Sequence, residues 1–154
     1  SKTVYLRNAC LVAADLLDPH WPKAVGQSYD WIVIRAVFHH IPDYAIRTRI
    51  LRQAVDLLAP AGRIILANWQ FMELQRLRRR RQPWERIGLS EADVEEGDYL
   101  LDWQRGGHGL RYVHLVDEDE TRRLAADADL RIRDLFRADG RDNNLTLYAV
   151  LEEA

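Results

Sequence analysis

The sequence predicts an α/β domain whose sheet is mainly parallel and closes with an antiparallel pair of strands. Two β-branched apolar runs, YDWIVI and GRIILANW, flank a segment with helical spacing, and short connections join the three. A strand, a helix and a second strand in this order form a right-handed crossover, which makes the two strands parallel. Because 47% of the 154 residues are hydrophobic, we expect one domain over residues 1–154.

The first two apolar runs are predicted as strands. ACLVAADLL, residues 9–17, leads into DPHWP, whose two prolines break regular structure. We expect a short buried strand there. The run YDWIVIRAVFHH, residues 29–40, is apolar and β-branched between Gly26 and Pro42, which is typical of a strand buried on both faces.

The clearest helix begins after Asp43, whose carboxylate can cap it. Its apolar positions recur at helical spacing up to APAG, residues 59–62. These positions are Ile46, Ile50, Leu51, Ala54, Leu57 and Leu58. The following run, GRIILANW at residues 62–69, predicts a second strand buried on both faces.

The middle of the chain, residues 70–110, differs in character and is predicted as an insertion over one end of the sheet. It contains an arginine cluster, RLRRRRQPW, an acidic stretch, SEADVEEGDY, and the glycine-rich RGGHG. A helix follows, in which Asp117 and Glu120 have the spacing of a capping box. The alternating segments LRIRDLF and LTLYAVLEE then predict an antiparallel strand pair at the sheet edge.

Composition narrows the function classes. The formal charge of −2 and the pI near 6.2 give no global attraction for nucleic acid, so a polyanion would have to use the local arginine cluster. The single cysteine, Cys10, excludes a disulfide framework. No apolar run reaches the roughly 20 residues that cross a bilayer. We therefore expect a soluble, cytoplasmic protein with no membrane partner.

Metal binding and nucleophilic catalysis are not favoured. His39 and His40 are neighbours, and in an extended segment their side chains would point to opposite sides. The other histidines lack ligand spacing, and no serine lies in a nucleophile elbow. There is no GxGxxG and no Walker-type loop. No metal site is predicted.

A ligand crevice is predicted beyond the carboxyl ends of the parallel strands. Asp15 follows the first predicted strand, residues 35–40 follow the second, and residues 68–70 follow the third. We expect these groups to line one crevice. The alternative is purely structural: Asp15 caps a turn, while Phe38 and His40 are packing residues.

Four segments resemble, in order and spacing, the Rossmann-like S-adenosylmethionine-dependent methyltransferases. They are ADLLDPHW, YDWIVIRAVFHHIPD, RILRQAVDLLAPAGRIILANWQF and the closing strand pair, with Ala61 where the first glycine of a Leu-x-Pro-Gly-Gly pattern is usual. The resemblance implies S-adenosylmethionine as cofactor. It also implies that Asp15 accepts a hydrogen bond from the adenine amino group, with the Leu16 backbone beside it.

The same resemblance assigns residues to the methionine part of the cofactor. Arg35, Ala36 and Val37 would present their backbone near it, and His40 would lie on the crevice wall. These roles come from the family pattern alone.

The insertion is similar to a segment of the tRNA wobble-uridine carboxymethyl methyltransferases. GDYLLDWQ followed by GLRYVHLVDEDETRRL carries the similarity, with Asp102 where that group has proline. It implies methylation of a carboxylate on a modified uridine, with Arg111, Tyr112 and His114 as catalytic residues. The acceptor is already ionised, so placement by a cation such as Arg111 is chemically sufficient.

The arginine cluster has two interpretations. Arg76 and residues 78–81 could contact RNA phosphates. They could equally form a solvated face that the nearby acidic stretch balances.

The family's glycine-rich loop and the acidic residue that grips the ribose have no match in this sequence. From the family sheet order 3-2-1-4-5-7-6 we expect a partial sheet with an unpaired edge, and a chain that alone binds S-adenosylmethionine weakly or not at all and is inactive. Two alternatives stay open: a small-molecule methyltransferase, and a truncated, non-catalytic interaction module. An exposed strand edge could also form a homodimer.

Overall fold

The fold described below comes from a computed structural model, which describes residues 8–103 and 107–154. The helices are α1 (Pro22–Val25), α2 (Tyr44–Val55), α3 (Gln75–Arg78) and α4 (Glu118–Asp127). The strands are β1 (Tyr29–Arg35), β2 (Leu58–Trp69), β3 (Arg81–Gln82), β4 (Asp98–Trp103), β5 (Gly109–His114), β6 (Leu130–Ala138) and β7 (Thr146–Glu153).

The main sheet has the strand order β1-β2-β7-β6. β1 runs parallel to β2, with Arg35 opposite Ala67, whereas β7 runs antiparallel to both β2 and β6. This order matches the 4-5-7-6 part of the expected sheet. The predicted fold class, a partial parallel sheet with a carboxyl-terminal antiparallel pair, is thereby confirmed.

One face of the main sheet forms the core with α2 and α4. Ile34, Ile64 and Leu151 pack from the sheet against Leu51 of α2 and Leu124 of α4, and all five side chains are buried. Burying an aliphatic side chain of this size contributes roughly 1.5–3 kcal/mol. The amphipathic spacing seen in the sequence therefore sets which side of the sheet the helices cover.

The opposite face of β1 is open, which corrects the prediction that this strand is buried on both faces. Trp31 and Val33 are 51% and 58% exposed. Within the described residues β1 pairs only with β2, so it is an edge strand. The strand also ends at Arg35, and Phe38–His40 form a 3₁₀ turn instead of continuing it.

The strand predicted at residues 9–17 is wrong. Residues 9–15 have no regular structure, and Leu11 is 96% exposed. Cys10, expected in that strand, is exposed as well. The apolar run has no neighbouring strand to pair with among the described residues, and a strand cannot satisfy its backbone groups alone.

Both predicted helix caps are present. The Asp43 carboxylate accepts hydrogen bonds from the backbone N–H of Ala45 at 2.7 Å and of Ile46 at 3.3 Å. Asp117 accepts from the backbone of Glu120 at 2.8 Å. The Glu120 carboxylate, however, turns into the protein, as described below, instead of completing the capping box.

The predicted insertion contains a second, small sheet of order β3-β4-β5, which the sequence pattern did not reveal. It packs on its own apolar cluster of Phe71, Leu77, Leu101 and Val113. Part of the glycine-rich RGGHG segment, residues 105 and 106, lies outside the described residues. None of the helices described is long and apolar enough to cross a membrane.

Candidate functional site

A crevice lies at the carboxyl ends of β1 and β2, where the sequence predicted one. It has a volume of about 270 Å³. Its lining residues are Arg35, Ala36, His39, Ala67, Trp69, Asp139, Leu145 and Thr146. Residues from both predicted segments, 35–40 and 68–70, thus meet there. Asp139 and Leu145 come from the β6–β7 connection and Thr146 is the first residue of β7, a contribution that the sequence did not indicate.

A second, larger cavity of about 510 Å³ adjoins this crevice and shares Asp139 and Leu145 with it. It lies between the start of α3 and the β6–β7 connection. The remaining lining residues are Leu74, Arg76, Gly140, Arg141, Asp142 and Asn144. Arg76 of the arginine cluster therefore faces the same end of the sheet as the crevice.

Ala36 turns the backbone sharply at the end of β1. Its φ of 58° lies in the left-handed region that non-glycine residues rarely adopt. A 3.0 Å hydrogen bond from its N–H to the carbonyl of Ala67 holds this turn. Backbone strain of this kind is often found at ligand sites, and here it lies on the crevice wall.

His39 is a buried neutral imidazole beside the crevice. Its side chain is 4% exposed, and its ring lies 4.2 Å from the ring of His40 and 6.1 Å from that of Trp69. The two histidines are therefore in contact, not on opposite sides as expected for an extended segment. Burial, then the nearby charges of His40 and Arg111, lower the pKa of His39 to about 4. Its Nδ1 has no hydrogen-bond partner among the described residues.

Arg111 joins the small sheet to this segment. Its Nη2 lies 2.9 Å from Nε2 of His40, and its guanidinium lies over the Trp103 ring, 4.4 Å from the centroid. Burial, followed by the charge of Arg111, lowers the pKa of His40. The contact is thus a donor guanidinium on a neutral imidazole, and it places a cation beside the predicted crevice wall.

Tyr112 and His114 lie on the other face of β5, because successive side chains of a strand alternate. Both bind Asp98: its Oδ1 accepts from the Tyr112 hydroxyl and lies against His114 Nδ1, each at 2.6 Å. His114 is fully buried, and its Nε2 lies 2.7 Å from the Glu120 carboxylate. The structure therefore brings Arg111 to His40 but does not bring Tyr112 and His114 to the same place.

The imidazole of His114 is held between two carboxylates. Although burial lowers it, hydrogen bonds to Asp98 and Glu120 raise the pKa of His114 overall. The pKa of Asp98 is lowered, because hydrogen bonds from His114 and Tyr112 outweigh the effect of burial. Both shifts favour an imidazolium between carboxylates.

Arg47 of α2 extends this network. Its side chain is 1% exposed, with Nε 2.9 Å from Glu120 and Nη2 2.8 Å from Glu95. Its Nη1 donates to the carbonyl of Ile41 at 2.7 Å. We call the set Arg47, Glu95, Asp98, Tyr112, His114 and Glu120 the buried charge network. It connects α2, β4, β5 and α4.

Three members of this network have possible metal-ligand atoms within 4.8 Å of one another, namely Glu95, Asp98 and His114. Both ring nitrogens of His114 already lie at hydrogen-bond distance from carboxylates. A protonated histidine accounts for these distances without an ion.

Asp15 and Leu16, the predicted adenine contacts, lie apart from both cavities. The Asp15 carboxylate accepts from the backbone of Leu17 at 2.9 Å and forms a local turn in an exposed segment. Leu16 packs against the main core. This is the arrangement of the structural alternative, in which Asp15 caps a turn.

The arginines of the cluster lie in different surroundings. Arg81 pairs with Glu91 of the acidic stretch at 3.0 Å and lies over the Tyr99 ring. Arg76 instead lines the larger cavity. The interpretation of a face balanced by acidic residues fits Arg81, whereas Arg76 faces open space.

A curated protein and two solved structures are similar to this chain, and no protein-family model matches it. A protein of Encephalitozoon cuniculi described as a "Putative methyltransferase" is 26% identical over 143 residues, which cover 93% of this chain and 60% of that protein. The chain therefore spans less than two thirds of this relative's length.

The two solved structures are both described as S-adenosylmethionine-dependent methyltransferases. The protein from Methanosarcina mazei has a TM-score of 0.63 and 21% identity, covering 86% of this chain and 63% of its own. The protein from Clostridium acetobutylicum has a TM-score of 0.60 and 10% identity, covering 95% of this chain and 64% of its own. By its strand order and these superpositions, the chain has the Rossmann-like fold of the S-adenosylmethionine-dependent methyltransferases.

Proposed function

We propose that this chain forms the acceptor side of the active site of an S-adenosylmethionine-dependent methyltransferase. The observation that carries the proposal is the crevice at the carboxyl ends of β1 and β2, with the Arg111–His40 contact beside it. Ligands of open α/β sheets bind at this end of the strands. The similarity to methyltransferases in fold and sequence supports the same function.

We propose that the crevice holds one end of the cofactor. The strained backbone of Ala36 and the unpartnered Nδ1 of His39 are polar features of a kind that a polar ligand would satisfy. We propose that Arg35, Ala36 and Val37 face the methionine part through their backbone, and that His40 closes the wall. When bound, S-adenosylmethionine would supply an electrophilic methyl group, with the sulfur of S-adenosylhomocysteine as the leaving group.

We propose that Asp15 and Leu16 take the adenine role only when their segment is covered. In the described arrangement this segment is exposed and borders neither cavity. A bound adenine, or the chain that packs over it, would have to order the segment against the sheet.

For the acceptor, we propose a carboxylate on a modified tRNA wobble uridine. A carboxylate is ionised at neutral pH, so the site needs a cation that orients it but no base that deprotonates it. Arg111 supplies such a cation, and Trp103 and His40 hold its guanidinium plane. The similarity of GLRYVH to the tRNA-modifying group is the sequence support for RNA as acceptor.

We propose different roles for the three residues that were predicted as catalytic. Arg111 contacts the acceptor carboxylate. Tyr112 and His114 position β5 through Asp98 and do not touch the acceptor, because His114 is fully buried with both ring nitrogens engaged. Their loss would act through the placement of Arg111.

The test is transfer of a radiolabelled methyl group from S-adenosylmethionine by the gene product that carries this chain. The acceptors are tRNA with a carboxymethyl-uridine and the same tRNA with unmodified uridine. We expect labelling of the first only. Replacing Arg111 by alanine removes a charge-assisted contact worth roughly 2–3 kcal/mol, so turnover should fall about 30- to 150-fold.

Arg122→Ala is the matched control, because Arg122 pairs with Glu118 on the exposed side of α4, and its turnover should equal that of the wild type. Arg111→Lys should recover part of the activity by restoring the charge. Methylation of a small molecule but of no RNA would support the small-molecule alternative. Absence of S-adenosylmethionine binding by the gene product would support the interaction module.

A further inference from the structure

The 510 Å³ cavity beside the crevice has walls that the fold holds in place. The backbone N–H of Gln70 donates to the carbonyl of Leu145 at 2.8 Å. Glu73 binds the side chain of Asn144 at 2.9 Å and also pairs with Arg137. The segment before α3 is thus joined to the β6–β7 connection at two points and to β6 at a third, so the cavity between them does not require a closing motion.

Two of the residues that line this cavity, Arg76 and Arg141, are arginines. The side chains of Arg76 and Arg141 form no hydrogen bond or ion pair with any residue in 8–103 or 107–154. Other arginines at this end of the sheet are engaged, Arg35 with Asp139 and Arg137 with Glu73. The cavity therefore has two positive charges available for a ligand.

The negative charges of the lining are unequal. Asp139 accepts from the Tyr148 hydroxyl at 2.7 Å and pairs with Arg35 at 3.4 Å. Its charge is therefore balanced locally. Asp142 has no such partner among the described residues. Among the described residues, the cavity therefore has two unpaired positive charges, from Arg76 and Arg141, and one unpaired negative charge, from Asp142. This net positive charge favours an anionic ligand, which Asp142 would partly repel.

The position of the cavity indicates whose anionic group would bind. It shares Asp139 and Leu145 with the crevice, where the proposed cofactor would present its methyl group, so a group seated there would lie next to the reacting part of the acceptor. Planar guanidinium groups match the oxygens of a phosphate. In an RNA acceptor the phosphates next to the methylated nucleotide are the nearest such groups.

We propose that this cavity is a phosphate subsite for the acceptor RNA, in which Arg76 and Arg141 bind a backbone phosphate adjacent to the methylated nucleotide. The assignment rests on the proposed function and makes it more specific. It also divides the arginine cluster: Arg76 belongs to the subsite, whereas its neighbour Arg78 does not line it.

The test is binding of a fluorescein-labelled RNA hairpin with a single-stranded loop to the gene product, measured by fluorescence anisotropy over a series of salt concentrations. Arg76→Ala and Arg141→Ala should each weaken binding roughly fivefold. Each should also reduce the slope of log K against log salt by part of the roughly 0.7 that corresponds to one lost phosphate contact in a single strand. Asp142→Asn should act in the opposite direction and tighten binding.

Arg78→Ala is the matched control within the cluster, and Arg122→Ala is the control outside it; neither should change the slope as the subsite variants do. Arg76→Lys and Arg141→Lys should keep most of the slope, and matching thermal melts should show that every variant is folded. Equal effects of Arg76→Ala and Arg78→Ala would overturn the subsite, as would an Asp142→Asn variant that binds less tightly.

The subsite and the proposed function can fail separately. If the RNA is methylated but Arg76→Ala and Arg141→Ala behave like the controls, the subsite proposal is wrong and the proposed function stands. Salt-dependent weakening by Arg76→Ala and Arg141→Ala without methyl transfer would leave the subsite and remove the proposed reaction. A wild-type protein that does not bind the hairpin would overturn the subsite.

Discussion

Nη2 of Arg111 lies 2.9 Å from Nε2 of His40, although 71 positions separate the two residues in the chain. A guanidinium can only donate hydrogen bonds, so Nε2 must be the acceptor and the imidazole must be neutral. The contact joins β5 of the small sheet to the 3₁₀ turn after β1. It therefore fixes the position of the small sheet relative to the crevice.

Replacing Arg111 by alanine should raise the pKa of His40. Burial and then the charge of Arg111 lower this pKa, so removing the arginine removes the second cause and leaves the first. The pKa should move toward its ordinary value without reaching it. NMR titration of the histidine Cε1–H signals measures this shift, with Arg122→Ala as the variant that should leave it unchanged. A His40 pKa that stays the same in Arg111→Ala would mean that the contact is absent in solution.

Replacing Arg47 by methionine should destabilise the protein by about 3 kcal/mol. The arginine is 1% exposed, and its removal takes one of two cationic partners, Arg47 and His114, from the buried Glu120, which is the costly way to break a buried pair. Urea unfolding measures the loss. The matched variant is Arg122→Met, which breaks an exposed pair between the same residue types and should cost less than about 1 kcal/mol. Similar losses in the two variants would show that the buried network does not hold charge.

Replacing His114 by glutamine should cost stability in a way that depends on pH. The folded pKa of His114 is raised, so its contribution is fully present below its unfolded pKa, about 6.5, and is lost as the pH rises through the folded value. The folded pKa of Asp98 is lowered, so its contribution is present above about 3.8 and is lost on acidification. The difference between wild type and variant should thus be largest near pH 5 and smaller above pH 8, as measured by urea unfolding in each buffer.

A difference that is constant over this range would mean that His114 is neutral in the folded protein. It would then hydrogen bond to only one of its two carboxylate neighbours as a donor, and the second carboxylate would have to be protonated.

Replacing Ala61 by glycine should stabilise the protein by about 0.5–1 kcal/mol. Ala61 has a φ of 62°, in the left-handed region that costs a residue with a Cβ roughly 1–2 kcal/mol. Glycine removes this cost. It also increases the conformational entropy of the unfolded chain, which offsets part of the stabilisation. The neighbouring change, Gly62→Ala, should destabilise, because a Cβ there would lie 2.8 Å from the carbonyl oxygens of Ala59 and Tyr29. Thermal unfolding compares the two. A stabilising Gly62→Ala would contradict the close backbone approach.

The chain should associate with itself through the free edge of β1. That strand pairs on one side only within the described residues, and Trp31 and Val33 are exposed on it. Light scattering after size exclusion should show a dimer, and Val33→Lys should give a monomer. Ile87→Lys changes an exposed apolar residue elsewhere and should leave the dimer intact. A monodisperse wild-type monomer would argue against both the homodimer and the interaction module.

The sequence predicted helices and strands correctly where the spacing of hydrophobic residues follows which side chains are buried. The helix after Asp43, the strand that precedes it and the closing strand pair all follow from spacing and capping residues. The crevice follows from strand direction, because parallel carboxyl ends meet at one edge. The run at residues 9–17 shows the limit: it is as apolar as a strand, yet a strand also needs a neighbour to bind its backbone, and composition does not supply one.

The buried charge network could not have been predicted in the same way. Arg47 and Glu120 are helix residues that a hydrophobic pattern assigns to the solvent side, and their burial follows from pairing across 73 positions. The small sheet was not predicted from the sequence for a related reason. DYLLDW and GLRYVH are short and interrupted by charges, and one of those charges, Asp98, is buried because Tyr112 and His114 bind it.

The alternation of side chains along β5 has a consequence for how this protein can evolve. One row, Tyr112 and His114, belongs to the buried charge network, so substitutions there should cost stability. The other row presents Arg111, which contacts His40 and the Trp103 ring, and a change there disturbs no buried ion pair. If Arg111 contacts the acceptor as proposed, single mutations of this residue could change the acceptor preference while the other row keeps the strand in place. A gain of specificity would then not require a loss of stability.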